Sequence, residues 1–283
     1  MTFGPLVSTT WLADTLGAED MVIFDASAYL PSEPQNAQVE YAAAHIPGAR
    51  FFDIEALSDP DTALPHMAPS QGRFARMVSE LGVSNNSRIV VYDQKGLFSA
   101  ARVWWMFRLF GHDQVAVLDG GLPKWRAENR SLDSGQAAPV APAHFNASLR
   151  TGLLRGLGDL KANLVSGAEH VLDARAAARF EGRVPEPRVG LAAGHIPGSA
   201  NLPFNELLEA DQTFKSPEAL RERFIQAGVD GTRTVVTSCG SGLTAAVLLL
   251  GMAVACLPDG ALYDGSWTEW GGREDTPKAT NTI

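Results

Sequence analysis

A stretch of seven residues near position 45 recurs near position 195, and this repetition limits the fold more than any other feature of the chain. Ala43-Ala44-His45-Ile46-Pro47-Gly48-Ala49 is matched by Ala193-Gly194-His195-Ile196-Pro197-Gly198-Ser199, an offset of 150. Met21-Val22-Ile23-Phe24-Asp25-Ala26 pairs with His170-Val171-Leu172-Asp173-Ala174 at 148, and Arg88-Ile89-Val90-Val91-Tyr92-Asp93 with Arg233-Thr234-Val235-Val236-Thr237-Ser238 at 145. Gly120-Gly121-Leu122-Pro123-Lys124-Trp125 likewise returns as Gly265-Ser266-Trp267-Thr268-Glu269-Trp270. One short match would carry little. Four blocks in one order, at offsets drifting by five residues, identify a duplicated unit of about 140 residues. The expected organisation is a first domain over 1–133, a linker over 134–150 and a second domain over 151–283. The composition of 131–144, rich in small residues and proline, suits an exposed connector.

Within each half, short β-branched runs alternate with helical spacing. Val22-Ile23-Phe24, Ile89-Val90-Val91 and Val115-Ala116-Val117-Leu118 read as buried strands, and 71–81 and 100–110 as helices. The second half repeats this with strands at Val171-Leu172 and Thr234-Val235-Val236 and helices over 217–227 and 244–255. That alternation predicts an α/β fold, each half a mainly parallel sheet flanked by helices. In such sheets a ligand sits beyond the carboxyl ends of the strands, which directs attention to the residues just after Val91 and Val236.

With 23 Lys and Arg against 32 Asp and Glu, the net charge of −9 argues against nucleic acid or an anionic membrane as partner. The longest apolar run is too short to span a bilayer and reads as a buried helix, and the first residues lack the pattern of a secretory signal. Two cysteines 17 apart, with no CxxC and no Cys/His cluster, indicate neither a disulfide framework nor a zinc site, and no cofactor is called for. A reducing, cytoplasmic setting is expected.

The two halves differ after their central strand. The second has Ser238-Cys239-Gly240-Ser241-Gly242-Leu243-Thr244 before an Ala-rich helix; the first has Asp93-Gln94-Lys95-Gly96-Leu97-Phe98-Ser99 and no cysteine anywhere. Glycines beside Cys239 let successive N–H groups turn toward one centre, and a helix starting near Thr244 adds the positive end of its dipole. Both favour a thiolate without a neighbouring His, so Cys239 is the candidate nucleophile. Cys256, in an apolar stretch, is expected to pack in the core.

These residues carry a resemblance. The HIPG-bearing halves, the cysteine loop in the second half alone and the ending Tyr263-Asp264-Gly265-Ser266-Trp267-Thr268-Glu269-Trp270 resemble tandem-domain sulfurtransferases of the rhodanese superfamily over nearly the whole chain. The loop is similar to the CGSGVT of its 3-mercaptopyruvate-using members, with Leu243 in place of Val, whereas thiosulfate-using members carry CRKGVT. Thiosulfate is a small dianion that gains from two cations in the loop; mercaptopyruvate has one carboxylate away from its sulfur. A neutral Gly240-Ser241 therefore argues against thiosulfate as the preferred donor. The resemblance implies a Cys239 persulfide, pyruvate as product, and a thiol acceptor such as thioredoxin, or cyanide. It makes Gly240, Gly242, Leu243 and Thr244 the lining of the substrate loop.

The substrate carboxylate then needs cations elsewhere. Arg175, Arg179, Arg183 and Arg188 fall within 14 residues, and guanidinium forks suit a 2-oxo acid. Similarity to the family's GRFRGxEPEPRxG segment maps the two substrate arginines onto Arg179 and Arg188. Arg175 and Arg183 are left to ion pairs with Glu181 and Glu186 on a solvated loop. Ser241 is either a hydrogen-bond donor to substrate or persulfide, or a turn residue bonding its own backbone. His45 is either structural in its turn or, as the resemblance implies, part of a proton relay with Ser241. Trp267 and Trp270 are expected in the core. Three rivals remain: a thiosulfate:cyanide sulfurtransferase, a non-enzymatic sulfur-carrier or redox-sensing module, and a Cys-dependent phosphatase. The last would need an arginine six residues past the nucleophile, where Ala245 stands.

Overall fold

The computed structural model describes residues 4–280, which divide into two compact units. The first comprises 4–59, 68–150 and 209–214; the second comprises 60–67, 151–208 and 215–280. The main division falls between 150 and 151, and two short segments, 60–67 and 209–214, belong to the unit opposite to the one their position in the chain suggests. Residues 131–144 are mostly exposed, as a connector should be, yet the linker is pinned at Phe145. Its buried ring meets Phe74 and Phe107 edge-on at 5.8 and 6.2 Å, which ties the connector to the first unit.

In the first unit the strands are β1 (Leu6–Val7), β2 (Met21–Asp25), β3 (Arg50–Phe51), β4 (Arg88–Tyr92) and β5 (Val115–Leu118), in the order β1-β5-β4-β2-β3 and all parallel. The second unit repeats this with β6 (Leu154–Arg155), β7 (Glu169–Asp173), β8 (Ala200–Asn201), β9 (Thr234–Ser238) and β10 (Ala261–Tyr263), in the order β6-β10-β9-β7-β8. The central strands β4 and β9 are apolar runs because helices cover both faces and no edge is exposed to water. In the first unit, Ile23, Val90 and Ala116 pack with Leu12, Leu122 and Trp125 on one face. On the other, Phe24 meets Phe52 and Phe107. The second unit has Val171, Val236 and Ala261 with Leu160, Trp267 and Trp270, so both tryptophans are core residues as expected. Helices Gln71–Glu80, Ala100–Leu109, Pro217–Gln226 and Ala245–Val254 lie within a residue or two of their expected spans. Among the described residues no helix is long and apolar enough to cross a membrane.

The repeated HIPG block makes the same turn twice. Gly48 and Gly198 take φ of +76° and +80°, closed by Ala49 N–H to Ile46 O and by Ser199 N–H to Ile196 O. His45 Nδ1 bonds Tyr41 O at 2.8 Å and its ring stacks on Tyr41; His195 Nδ1 bonds Phe180 O at 2.8 Å and stacks on Phe180. Each histidine also pairs its backbone with a later strand-like residue, Asp133 or Ala279.

The two strand-to-helix loops are built on one plan with different contents. In the pairing register Tyr92 opposes Asp25 and Ser238 opposes Asp173, so Asp93 stands in the first unit where Cys239 stands in the second. The Asp93 carboxylate accepts N–H bonds from Lys95, Phe98, Ser99 and Ala100 at 2.8–3.0 Å, filling its own loop's amide cradle. Asp93→Ala would leave these buried donors unsatisfied and should lower the unfolding free energy by about 1–3 kcal/mol in urea denaturation; unchanged stability would show that the cradle needs no anion.

Candidate functional site

Cys239 follows β9 directly and is 2% exposed. Its Sγ accepts the Gly242 N–H at 3.2 Å. No carboxylate fills this cradle, and among the described residues the amides of Leu243, Thr244 and Ala245 have no protein acceptor. Gly242 has φ of +80°, the left-handed turn that brings its N–H back toward sulfur. Helix Ala245–Val254 then leaves the loop with its first-turn amides and dipole at the cysteine's end.

The loop is fixed by the segment after β10. Ser266 Oγ accepts the Cys239 N–H at 3.2 Å and donates to Tyr263 O at 2.9 Å. Trp267 N–H takes the Cys239 carbonyl at 2.9 Å, and Thr268 holds the Gly240 carbonyl through both its N–H and its hydroxyl, at 2.9 and 2.6 Å. These bonds hold the Cys239 and Gly240 carbonyls on the segment after β10. Ser266 makes its bonds from a left-handed backbone at φ +48°, fully buried. Its counterpart in the first unit is Gly121, where a Cβ would fall 2.6 Å from Gly96 O.

Ser241 Oγ lies 3.0 Å from His66 Nδ1, and the same nitrogen is 3.2 Å from Ser241 O. Both residues are buried. The histidine that partners Ser241 is therefore His66, not His45, whose Nδ1 is committed to Tyr41 O. His66 is hidden at the level of sequence because segment 60–67 lies outside the four matched blocks of the repeat. Its only signal is a histidine in a proline-bearing loop, Pro65-His66-Met67.

The arginines sort by partner. Arg175 was expected on a solvated loop and is instead buried. It donates to Asp173 through Nε and Nη2, to Glu186 through Nη1 at 2.8 Å and to Gly194 O, with its guanidinium 4.5 Å over the Trp267 ring. Burial opposes its charge, but Asp173 and Glu186 outweigh that and raise its pKa. Arg183 pairs with Glu181 at the surface, as expected. Arg179 forks onto Glu186 while remaining 22% exposed, and a Cβ on Gly240 would lie 3.2 Å from its Nη2. Its guanidinium thus sits beside the cysteine loop, and glycine at 240 makes the room. Arg188 is half-buried and, among the described residues, makes no hydrogen bond or ion pair. Thr244 and Leu243 are buried at the start of the helix.

Cys256 is not in the core. The helix ends at Val254, and Cys256 turns the chain at φ +55° with its side chain exposed.

The site is a buried sulfur nucleophile in an amide cradle, with a Ser–His pair and the paired guanidinium of Arg179 beside it. The Rhodanese-like domain family matches residues 8–128 and 157–273. Human 3-mercaptopyruvate sulfurtransferase is 45% identical over 94% of this chain and 91% of its own length. The Arabidopsis thaliana protein named thiosulfate/3-mercaptopyruvate sulfurtransferase 1, mitochondrial, is 42% identical over 96% of this chain and 77% of its own. The crystal structure of SseA from Escherichia coli, described as a 3-mercaptopyruvate sulfotransferase, superposes with a TM-score of 0.84 at 40% identity, covering 93% of this chain and 99% of that one.

Ser266→Ala should cost about 1–3 kcal/mol of stability by leaving the Cys239 N–H buried without an acceptor. Ser266→Gly relieves the left-handed backbone and should cost about 1 kcal/mol less, yet still destabilise. A glycine variant more stable than the parent in urea titration would mean that strain, not the hydrogen bond, dominates at 266.

Proposed function

The chain is a sulfurtransferase of the rhodanese family, and we propose that it takes sulfur from 3-mercaptopyruvate onto Cys239 and passes it to a thiol or cyanide. The observation that carries this is the Cys239 sulfur accepting a loop amide at the start of a helix, with Ser241 and His66 hydrogen-bonded alongside.

The Cys239 thiolate attacks the sulfur of the donor. The new S–S bond forms as the C–S bond breaks, and the bonding pair leaves on carbon as the enolate of pyruvate. Arg188, with Arg179, holds the donor's carboxylate so that its sulfur meets Sγ. Ser241, backed by His66, hydrogen-bonds the developing enolate oxygen and relays the proton that converts enolate to pyruvate. Amides of residues 242–245 stabilise the sulfur charge on Cys239. In the second half-reaction an acceptor thiolate or cyanide attacks the outer sulfur and releases the Cys239 thiolate, so the chemistry is ping-pong and needs no external oxidant.

Thiosulfate is the second-ranking donor. The residue after the nucleophile in thiosulfate-using loops is arginine, and here a Cβ at Gly240 would lie 3.2 Å from Arg179 Nη2, so a larger residue would displace that guanidinium. Overall identity does not choose, since the Arabidopsis relative carries both donors in its name. Reduced thioredoxin is the proposed protein acceptor. Two free thiols suit a reducing compartment, and on that ground we assign the enzyme to the cytoplasm; the Arabidopsis relative is named as mitochondrial.

Protein treated with 3-mercaptopyruvate should gain one sulfur on the Cys239 peptide, and Cys239→Ser should release no pyruvate; pyruvate release from an unmodified peptide would sink the scheme. His66→Asn should lower kcat by about 10²–10⁴-fold with little change in KM, measured with 3-mercaptopyruvate and cyanide. Comparison of kcat/KM for the two donors in the parent protein ranks them.

A further inference from the structure

An unbroken chain of alternating charge leads from the sheet to the nucleophile. Asp173 ends β7, and Arg175 binds it through three contacts of 2.7–3.1 Å. Arg175 reaches Glu186, and Glu186 in turn takes the fork of Arg179, whose Nη2 lies beside Gly240. The Asp173, Arg175 and Glu186 side chains are 3%, 1% and 1% exposed, so water does little to screen them. Two carboxylates and two guanidiniums cancel, which leaves Arg188 as the cation of this segment with no partner among the described residues.

A site that offers two arginines by sequence therefore offers the charge of about one. We propose that Glu186 is a specificity-determining residue: it holds Arg179 over the cysteine loop and offsets its charge, so that the site accepts sulfur donors with one negative charge and discriminates against dianions. The inference rests on the sulfurtransferase reading and deepens it. It locates donor choice in a buried carboxylate that makes no contact with the donor, rather than only in the neutral Gly240-Ser241 of the loop. Glu186 is thus a positioning residue acting through Arg179. Its burial matters because a surface carboxylate at the same distance would be screened and would barely bias the choice.

Two substitutions separate charge from position. Glu186→Gln keeps the shape and removes the charge; Glu186→Asp keeps the charge and withdraws it by one methylene. With cyanide as acceptor, Glu186→Gln should raise the ratio of kcat/KM for thiosulfate over 3-mercaptopyruvate by about tenfold. Glu186→Asp should lower kcat/KM for both donors while leaving their ratio within about twofold of the parent. A Glu186→Gln ratio equal to the parent's, or a Glu186→Asp ratio that moves as far as the Gln ratio, overturns the proposal. Should either variant fail to fold by circular dichroism, the parent protein decides through competitive inhibition against 3-mercaptopyruvate. Pyruvate, a monoanion, should inhibit at a concentration about tenfold lower than inorganic sulfate, a dianion, at equal ionic strength. Equal or stronger inhibition by sulfate overturns the proposal. Persulfide formation on Cys239 in the parent, read by mass spectrometry on the same samples, reports separately on the underlying reading.

Discussion

The second unit's chemistry depends on the direction in which two carbonyls point. If the carbonyls of Cys239 and Gly240 faced the sulfur, they would repel a thiolate and the donor's negative charge alike. Trp267 N–H and the two Thr268 donors turn them away, and Ser266 Oγ occupies the Cys239 N–H, so the later amides of the loop are the groups left facing inward. The arrangement is assembled from a stretch nearly thirty residues further along the chain. That is possible because β9 and β10 are neighbours in the sheet and both end at the same edge.

The duplicated unit supplies its own control. Both halves share strand order, the HIPG turn and the use of its histidine, so these features belong to the fold. The differences are concentrated at one end of the sheet. Asp93 stands where Cys239 does and satisfies with a permanent carboxylate the amides that the other unit leaves open. Ser27, bonded to Asp25, stands where Arg175 bonds Asp173, and Gly121 where Ser266 ties the loop. A cradle filled from within has no capacity for a reacting anion, which explains in electrostatic terms why one half alone carries the nucleophile.

The repeat and the β-branched runs made the central strands, four long helices and the cysteine loop legible, because burial on both faces writes itself into composition. Two-residue edge strands such as β3 and β8 leave no such trace, since partners elsewhere in the chain create them. The arginine segment was legible as charge but not as geometry: nothing in the spacing of Arg175 and Glu186 distinguishes a solvated pair from one sealed under the sheet's edge. His66 was hidden for a related reason. It comes from segment 60–67, which lies outside the matched blocks and which sequence order would assign to the other unit. Cys256 failed in the opposite direction, because an apolar neighbourhood says where a helix packs and not where it stops.

A buried alternation of charges is a costly way to hold one arginine, since each ion loses hydration that its neighbours must restore. A hydrophobic clamp would hold the Arg179 stem at lower cost, but it would leave the guanidinium at full charge. The chain of Asp173, Arg175 and Glu186 gives Arg179 a fixed direction and a diminished charge together, because each carboxylate is itself held by a neighbouring guanidinium and cannot swing away. Arg188, which has no ion pair among the described residues, is the cation of this segment whose charge is not offset. Fixing the direction of a guanidinium and leaving it at full charge are therefore separable tasks, and this cluster performs the first while giving up part of the second.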